Sequence, residues 1–475
     1  MNQFYDYEAT LTQQKKKALG IVYTPMSVVQ YINKELLSRW DKDVPPKILD
    51  PCCGTGVFLY DMAQRISLRW NISLNEVYEK YIYGFDLDKE AVSICKENIP
   101  GSNIKIANSL ELDFDFCDII ATNPPYVRIQ NLDEKTRNNI QKNYKFCSGY
   151  TDLYIAFFEK LALCGKIVGM ICPNSWTRNK SSCGLRTSLF QKQNMYKIID
   201  FKDKSVFKNV GVYPSIVFMN NKKNNTLCYN NNMSINFDKI KYELSDESSI
   251  FVGLEKSCDD GVSFLDLCDI KIGLATLADS IFYGKVLEDF QNGLCSFKTK
   301  NNSPILLERA SLRPCIKASK HQKIEKNTFI IFPYDSNKNL LLESELKKNF
   351  PKAYDYLNSN KERLLARDKG KIDPSKWYAY GRTQGLLNDT EKILIAPFQK
   401  DKMRYRHSKK GELYISGYSI TPKNGVTFLQ VESFLCQPEL WAWLESRGKN
   451  LSSGWVGISK QTFKNYKIKI EDING

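Results

Sequence analysis

Asn123-Pro124-Pro125-Tyr126 combines residue types that can manage a planar amine. An amino group on an aromatic ring is a poor nucleophile, because its lone pair is delocalised into the ring. The Asn123 side-chain oxygen and the Pro124 carbonyl can accept both amine hydrogens. Such a pair holds the nitrogen in line with an electrophile and favours its developing pyramidal form. Pro125 fixes φ and stiffens the turn, and Tyr126 offers a flat face on which a base can stack. The competing reading is a Pro-Pro loop that merely closes a strand, so the tetrapeptide needs its context.

The elements that must position it lie on both sides. Phe116 to Thr122 is an apolar run that predicts a buried parallel strand leading into Asn123. Upstream, Ile48-Leu49-Asp50-Pro51-Cys52-Cys53-Gly54-Thr55-Gly56 reads as a strand end and a glycine turn, and Val57 onward as the start of a helix. The glycines allow a tight turn and close approach to a ligand. This is not the dinucleotide fingerprint, since Leu59 stands where its third glycine would fall. Tyr83-Gly84-Phe85-Asp86 predicts a second strand ending in acid, where a carboxylate can take both hydroxyls of a ribose. A third strand is expected to lead to Asn108. Strand ends in this order place one binding crevice along the carboxyl edge of a parallel sheet.

With these motifs in place the chain resembles the γ-class DNA adenine-N6 methyltransferases, which include TaqI-type and stand-alone type II modification enzymes. Gly20-Ile21-Val22-Tyr23-Thr24-Pro25, followed by an amphipathic stretch, resembles the family's motif X, placed ahead of the glycine turn as that class requires. The resemblance implies an α/β fold: a class I S-adenosylmethionine-dependent, Rossmann-like domain followed by a mixed α/β target-recognition domain. It implies S-adenosylmethionine as cofactor. Tyr23, Thr24, Asp50 and Cys52 would approach its methionine part beside the Gly54 and Gly56 turn. Asp86 would bind the ribose, Leu87 would lie on the adenine ring, and Asn108 would read the adenine amino group where the family usually has Asp. Asn123 and Pro125 belong to the same set. Asp152-Leu153-Tyr154 resembles motif V. Val206 to Phe218 resembles motif VIII, with Phe207 aligned to the residue that stacks on a flipped base opposite Tyr126. Tyr213 is its nearest rival. The implied catalytic set is Asn123, Pro124, Tyr126 and Phe207.

Composition agrees with a nucleic-acid substrate. The 475 residues carry 68 Lys+Arg against 53 Asp+Glu, a formal charge of +15, which suits phosphate neutralisation. Lys361 to Lys410 is the densest basic stretch and interleaves aromatic residues with its charges. Trp377, Tyr380, Arg382, Arg404 and Arg406 are the expected DNA contacts within it; a solvated basic face is the alternative. Asn- and Lys-rich runs between Asn220 and Asn232 read as loops between the last sheet strands. The expected domains are residues 1–245, catalytic, and 246–475, target recognition.

Other classes are disfavoured. The chain has 14 Cys but only two His, and no Cys-x-x-Cys pair, so no metal site is expected. The first residues lack the pattern of a signal peptide, and no apolar run is long enough for a membrane span, so free thiols in a reducing cytoplasm are expected. No Cys stands in a Pro-Cys context at the Asn123 position, where cytosine-C5 chemistry would need its nucleophile. Asp335 with Glu345 and Lys347 has a passable nuclease spacing, but motif X begins so early that no upstream nuclease domain is expected. The remaining alternatives are cytosine-N4 methylation, a bifunctional restriction-modification enzyme, a DNA-binding module with a decayed cofactor site, and protein-glutamine methylation. The expected partners are double-stranded DNA, bound by a monomer, and a separate restriction endonuclease of the same system.

Overall fold

The computed structural model describes the chain apart from residues 1–2, 13–19, 21, 203, 205, 208–211, 232, 238–260, 301–302, 319–326, 388–389, 424, 452–453, 465 and 475. It divides into two compact units, Met1–Leu254 and Glu255–Gly475. The boundary expected at residue 245 lies outside the described residues.

In the first unit a short helix α1 (Gln3–Thr10) and helix α2 (Met26–Ser38) precede the sheet. The sheet then builds from β1 (Ile48–Asp50), β2 (Ile82–Asp86), β3 (Asn103–Ile106), β4 (Ile119–Thr122) and β5 (Ile167–Pro173). Four further strands complete it: β6 (Met195–Asp200), β7 (Pro214–Met219), β8 (Thr226–Tyr229) and β9 (Met233–Asn236). The spatial order is β3-β2-β1-β4-β5-β7-β6-β8-β9. β1 to β5 are parallel to one another, and β7 lies antiparallel between β5 and β6. From β1 the chain turns to one side for β2 and to the other for β4, so the order reverses between β1 and β4. In an open parallel sheet a ligand crevice lies at that reversal, outside the carboxyl ends of the strands.

Local sequence explains these elements. All four residues of β4 are buried, as a strand covered on both faces requires. Phe116 is 38% exposed and stays outside it, so the predicted strand is shorter than its apolar run. Helix α2 begins where the Pro25 carbonyl accepts the N–H groups of Val28 and Val29, and it buries Val29, Ile32 and Leu36 as one stripe. Helix α3 (Val57–Trp70) buries Phe58, Leu59, Met62 and Ile66. The run Asn220 to Asn225 is a loop between β7 and β8, as expected. Within the Asn- and Lys-rich stretch Thr226–Tyr229 is a strand, paired with both β6 and β9 and carrying the buried Leu227. The sheet therefore continues beyond the runs read as loops.

The second unit is mixed α/β. Its six-stranded sheet runs from Ile305–Glu308 through Tyr283–Asp289 to Leu413–Ile415, and a four-stranded sheet centres on Tyr418–Pro422 and Lys392–Ile395. Helices Pro351–Ser359, Phe428–Cys436 and Pro438–Arg447 cover separate apolar clusters. No helix of the described residues is long and apolar enough to cross a membrane.

Gly56, at the start of α3, is fixed by packing as well as by backbone. Its φ is +94°, and a Cβ there would stand 2.6 Å from the Cys95 Sγ and 2.9 Å from Ile99. Gly54 has φ +49° with open space around it. Gly56→Ala should therefore cost about 2–4 kcal/mol, strain plus overpacking, and Gly54→Ala only the strain, about 1–2 kcal/mol. Denaturant unfolding of the two variants checks this; equal losses would show that the Cys95 contact relaxes freely.

Candidate active site

Asp50 closes β1, Asp86 closes β2, and Asn123 follows directly on β4. Asn123 and Pro124 each precede a proline, which biases both toward extended backbone and fixes the exit from the strand. The three strand ends open on one cavity of about 260 Å³. Every residue expected at the cofactor except Gly56 lines it: Tyr23, Thr24, Asp50, Cys52, Gly54, Asp86, Leu87, Asn108, Asn123 and Pro125. Gly56 packs against Cys95 and Ile99 behind the turn instead.

Two carboxylates share this crevice. Asp86 accepts the N–H of Gly54 at 2.8 Å on one oxygen and that of Asp88 at 2.9 Å on the other. Each oxygen keeps a lone pair for a further donor. Burial raises its carboxyl above the usual range, opposed by those N–H groups. Asp50 is 1% exposed and accepts the Cys52 N–H at 3.0 Å. Burial pushes its carboxyl up to about 7 against that hydrogen bond. Burial also raises the Cys52 thiol well above its ordinary value, which leaves it protonated and inert.

Asn123 is held from one end. Its Nδ2 donates to the Val22 carbonyl at 2.6 Å and to the Thr24 hydroxyl at 3.0 Å. Its Oδ1 is buried with no hydrogen-bond partner. An orphaned buried acceptor is costly unless a ligand supplies the donor.

Some expected geometry differs. Tyr126 and Phe207 do not form an open parallel clamp: their ring centroids are 6.2 Å apart and the planes cross at 62°. A base between two parallel rings needs about 7 Å, two van der Waals contacts of ~3.5 Å. Phe207, 5% exposed, meets Tyr126 edge to face and fills that space. Pro124 is buried and is not among the residues that line the cavity. The Asn108 carboxamide is engaged on both atoms: Oδ1 accepts from the Leu110 N–H at 3.3 Å, and Nδ2 donates to Glu111 at 2.9 Å. Tyr213 is half-buried, and its carbonyl accepts the Asn174 N–H.

Helix α4 (Glu134–Asn143) and the turn before it supply wall residues that the sequence reading missed. Thr136 and Ile140, one turn apart on that helix, line the cavity with Leu132 from just ahead of it. That stripe stands in an otherwise polar stretch and was readable. Leu153 and Phe157, from the stretch resembling motif V, line it as well.

In the second unit the basic stretch sorts by burial. Arg382 is exposed, and Arg404 and Arg406 are half-buried. Trp377 is 0% exposed and Tyr380 5%; both belong to the apolar core, with the Tyr380 hydroxyl donating to the Ile331 carbonyl at 2.6 Å. These two are packing residues, not a stacking surface. Arg367 is buried too, and its guanidinium donates to the carbonyls of Leu364, Thr276, Ala379 and Trp377. The nuclease-like acids are absorbed locally. Asp335 accepts from the Asn339 N–H in a turn, and Glu345 caps a helix through the Leu342 N–H.

Comparison with known proteins extends this geometry. Residues 110–207 match the Eco57I restriction-modification methylase family, and residues 35–143 match the RMKL-like methyltransferase domain. Both matched stretches lie within the first unit. The chain is 24% identical to the type II methyltransferase M.HindII of Haemophilus influenzae, over 92% of this chain and 87% of that one. It is 22% identical to the type II restriction enzyme and methyltransferase RM.Eco57I of Escherichia coli, over 81% of this chain, and spans half the length of that enzyme. The type IIL restriction-modification enzyme MmeI, solved in complex with DNA, shares the fold at a TM-score of 0.63 and 13% identity, over 95% of this chain and 69% of that one.

The cavity suits S-adenosylmethionine, the cofactor that the sequence resemblance implies. Asp86 can accept further donors, Asp50 lies in the same wall, and Leu87 presents an apolar side chain that is 67% exposed beside Asn108. The burial of Trp377 carries its own expectation. Trp377→Ala should cost about 3–5 kcal/mol, as for other buried aromatics. An unfolding midpoint equal to that of the parent protein would place the ring at the surface.

Proposed function

We propose that the protein is a DNA methyltransferase that moves a methyl group from S-adenosylmethionine to the N6 amino group of adenine in double-stranded DNA, as the modification arm of a restriction-modification system. The observation that carries this reading is the Asn123 carboxamide. Its nitrogen is fully engaged, and its oxygen stands buried and unpartnered in the wall of the cofactor cavity. The cofactor supplies an electrophilic methyl on a sulfonium. The chain supplies orientation: Asn123 Oδ1 and the Pro124 carbonyl accept the two amine hydrogens, which draws electron density toward nitrogen as it becomes pyramidal. Asp86 holds the ribose and Asp50 faces the cationic methionine end. Leu87 covers the cofactor's adenine, with Asn108 at its edge. The Phe207 ring moves aside as the flipped base takes its place against Tyr126.

The second unit is the proposed target-recognition domain, with Arg382, Arg404 and Arg406 as phosphate contacts. The choice of adenine over cytosine rests on Asn at position 123, where cytosine-N4 enzymes resemble Ser-Pro-Pro-Tyr. We place the enzyme in the cytoplasm as a monomer with no disulfide among its described cysteines, and with a separate endonuclease as the other arm of the system.

The product decides the reaction. Duplex DNA incubated with the protein and S-adenosylmethionine should yield N6-methyladenine on digestion to nucleosides and mass spectrometry. Asn123→Ala should lower turnover at least about a hundredfold while cofactor binding persists. N4-methylcytosine would move the base assignment and leave the geometry standing; no methylated base at all would end the proposal.

Asp50 adds a pH dependence. With its carboxyl raised to about 7, its attraction for the cofactor ammonium is present above that pH and lost as pH falls through it. S-adenosylmethionine should bind more weakly at about pH 6 than at about pH 8, with proton release near neutrality. Calorimetry in buffers of different ionisation enthalpy measures both, and Asp50→Asn should abolish the proton release. A flat profile would separate Asp50 from the ammonium.

A further inference from the structure

The loop before α2 is bound to the Asn123 loop at three points. Tyr126 N–H donates to the Gly20 carbonyl at 3.2 Å, and Asn123 Nδ2 reaches Val22 O and Thr24 Oγ1. Pro25 favours extended backbone at Thr24, and in extended chain alternate residues point the same way. Val22 and Thr24 accordingly meet the Asn123 loop, and Gly20, whose φ is +63°, adds its carbonyl. Tyr23, between them, packs against the cluster of Tyr7, Leu11 and Ala91.

We propose that Thr24 is a positioning residue for Asn123, and that the Val22–Thr24 tether makes position 123 one that accepts a carboxamide and rejects a carboxylate. This rests on the methyl-transfer reading above and concerns how its acceptor is aimed. The Asn123 NH2 group has two hydrogens, and the loop offers two acceptors, one for each. A carbonyl oxygen can only accept. Rotating the carboxamide by half a turn would set Oδ1 against the Val22 oxygen, two lone-pair atoms at 2.6 Å. The tether therefore forbids the wrong orientation and leaves Oδ1 toward the substrate amine. Thr24, 2% exposed, supplies the second point that stops the group swinging about its single bond to Val22. An aspartate offers the same acceptors toward an amine, and the Thr24 hydroxyl can donate to it, but it has no donor for the Val22 carbonyl. Its second oxygen would face the Val22 carbonyl, so an acid fails here although its chemistry toward the substrate is unchanged.

The test is steady-state methylation of duplex DNA by the full chain with radiolabelled S-adenosylmethionine, alongside cofactor binding by calorimetry. Thr24→Val should lower kcat about tenfold, the scale of one buried hydrogen bond, with the cofactor KM changed less than about threefold. Thr24→Ser, which restores the hydroxyl, should return kcat to within about twofold of the parent. Asn123→Asp should fall about a hundredfold or more, alongside Asn123→Ala, with cofactor affinity kept. If Thr24→Val does not fold, the Thr24→Ala and Thr24→Ser pair makes the same comparison. Undiminished kcat without the hydroxyl, equal impairment of the Ser variant, or a fully active Asn123→Asp would each overturn the assignment while the methyl-transfer reading stands. A parent protein that methylates no base would overturn that reading and this assignment together.

Discussion

One carboxamide nitrogen with two acceptors holds the centre of the first unit. The contact spans 101 residues of sequence, from Val22 to Asn123, and joins a loop ahead of the sheet to the end of its fourth strand. Both partners need rigid supports for a 2.6 Å hydrogen bond to fix an orientation. On one side stands β4, buried on all four residues and followed by two prolines. On the other, α2 starts at Pro25 and buries Val29, Ile32 and Leu36. Packing of side chains far from the crevice thus becomes angular precision at one oxygen atom.

The electrostatics of the crevice follow from the same burial. Asp50 and Asp86 lie near one another in a pocket that raises both carboxyls. Main-chain N–H groups offset part of that cost at each: Cys52 at Asp50, Gly54 and Asp88 at Asp86. Two buried acids without a cation carry a destabilising strain that a bound cation relieves. The stability sacrificed in the free protein becomes selectivity for a positively charged ligand.

Much of this was legible in the sequence where the signal was local. A short apolar run ending in Asp50, Asp86 or Asn123 states both the strand and the edge at which the polar group emerges. The glycine turn was legible as a turn, but the sequence did not distinguish Gly54, beside the cavity, from Gly56, packed on Cys95. What was misread depended on distant packing. Aromatic residues among basic ones suggested a surface, yet Trp377 and Tyr380 enter the core because the strands and helices around them supply apolar partners far away in the chain. Thr226–Tyr229 carried no strand signal of its own between Asn- and Lys-rich flanks, while one buried leucine and two neighbouring strands suffice to place it in the sheet. The edge-to-face meeting of Phe207 and Tyr126 is likewise a matter of rotation, which residue identity does not encode.

Arg367 shows the same economy in the second unit. Its guanidinium has no carboxylate partner among its hydrogen bonds and is satisfied by four main-chain carbonyls, drawn from the end of a helix and from the loops at Thr276 and at Trp377 and Ala379. Because the clasp grips backbone, it is indifferent to the side chains those loops display. Exposed neighbours such as Leu277 and Arg382 can be exchanged without loosening the scaffold beneath them. The surface chemistry of that rim is therefore free to drift by single substitutions, while its shape stays inherited.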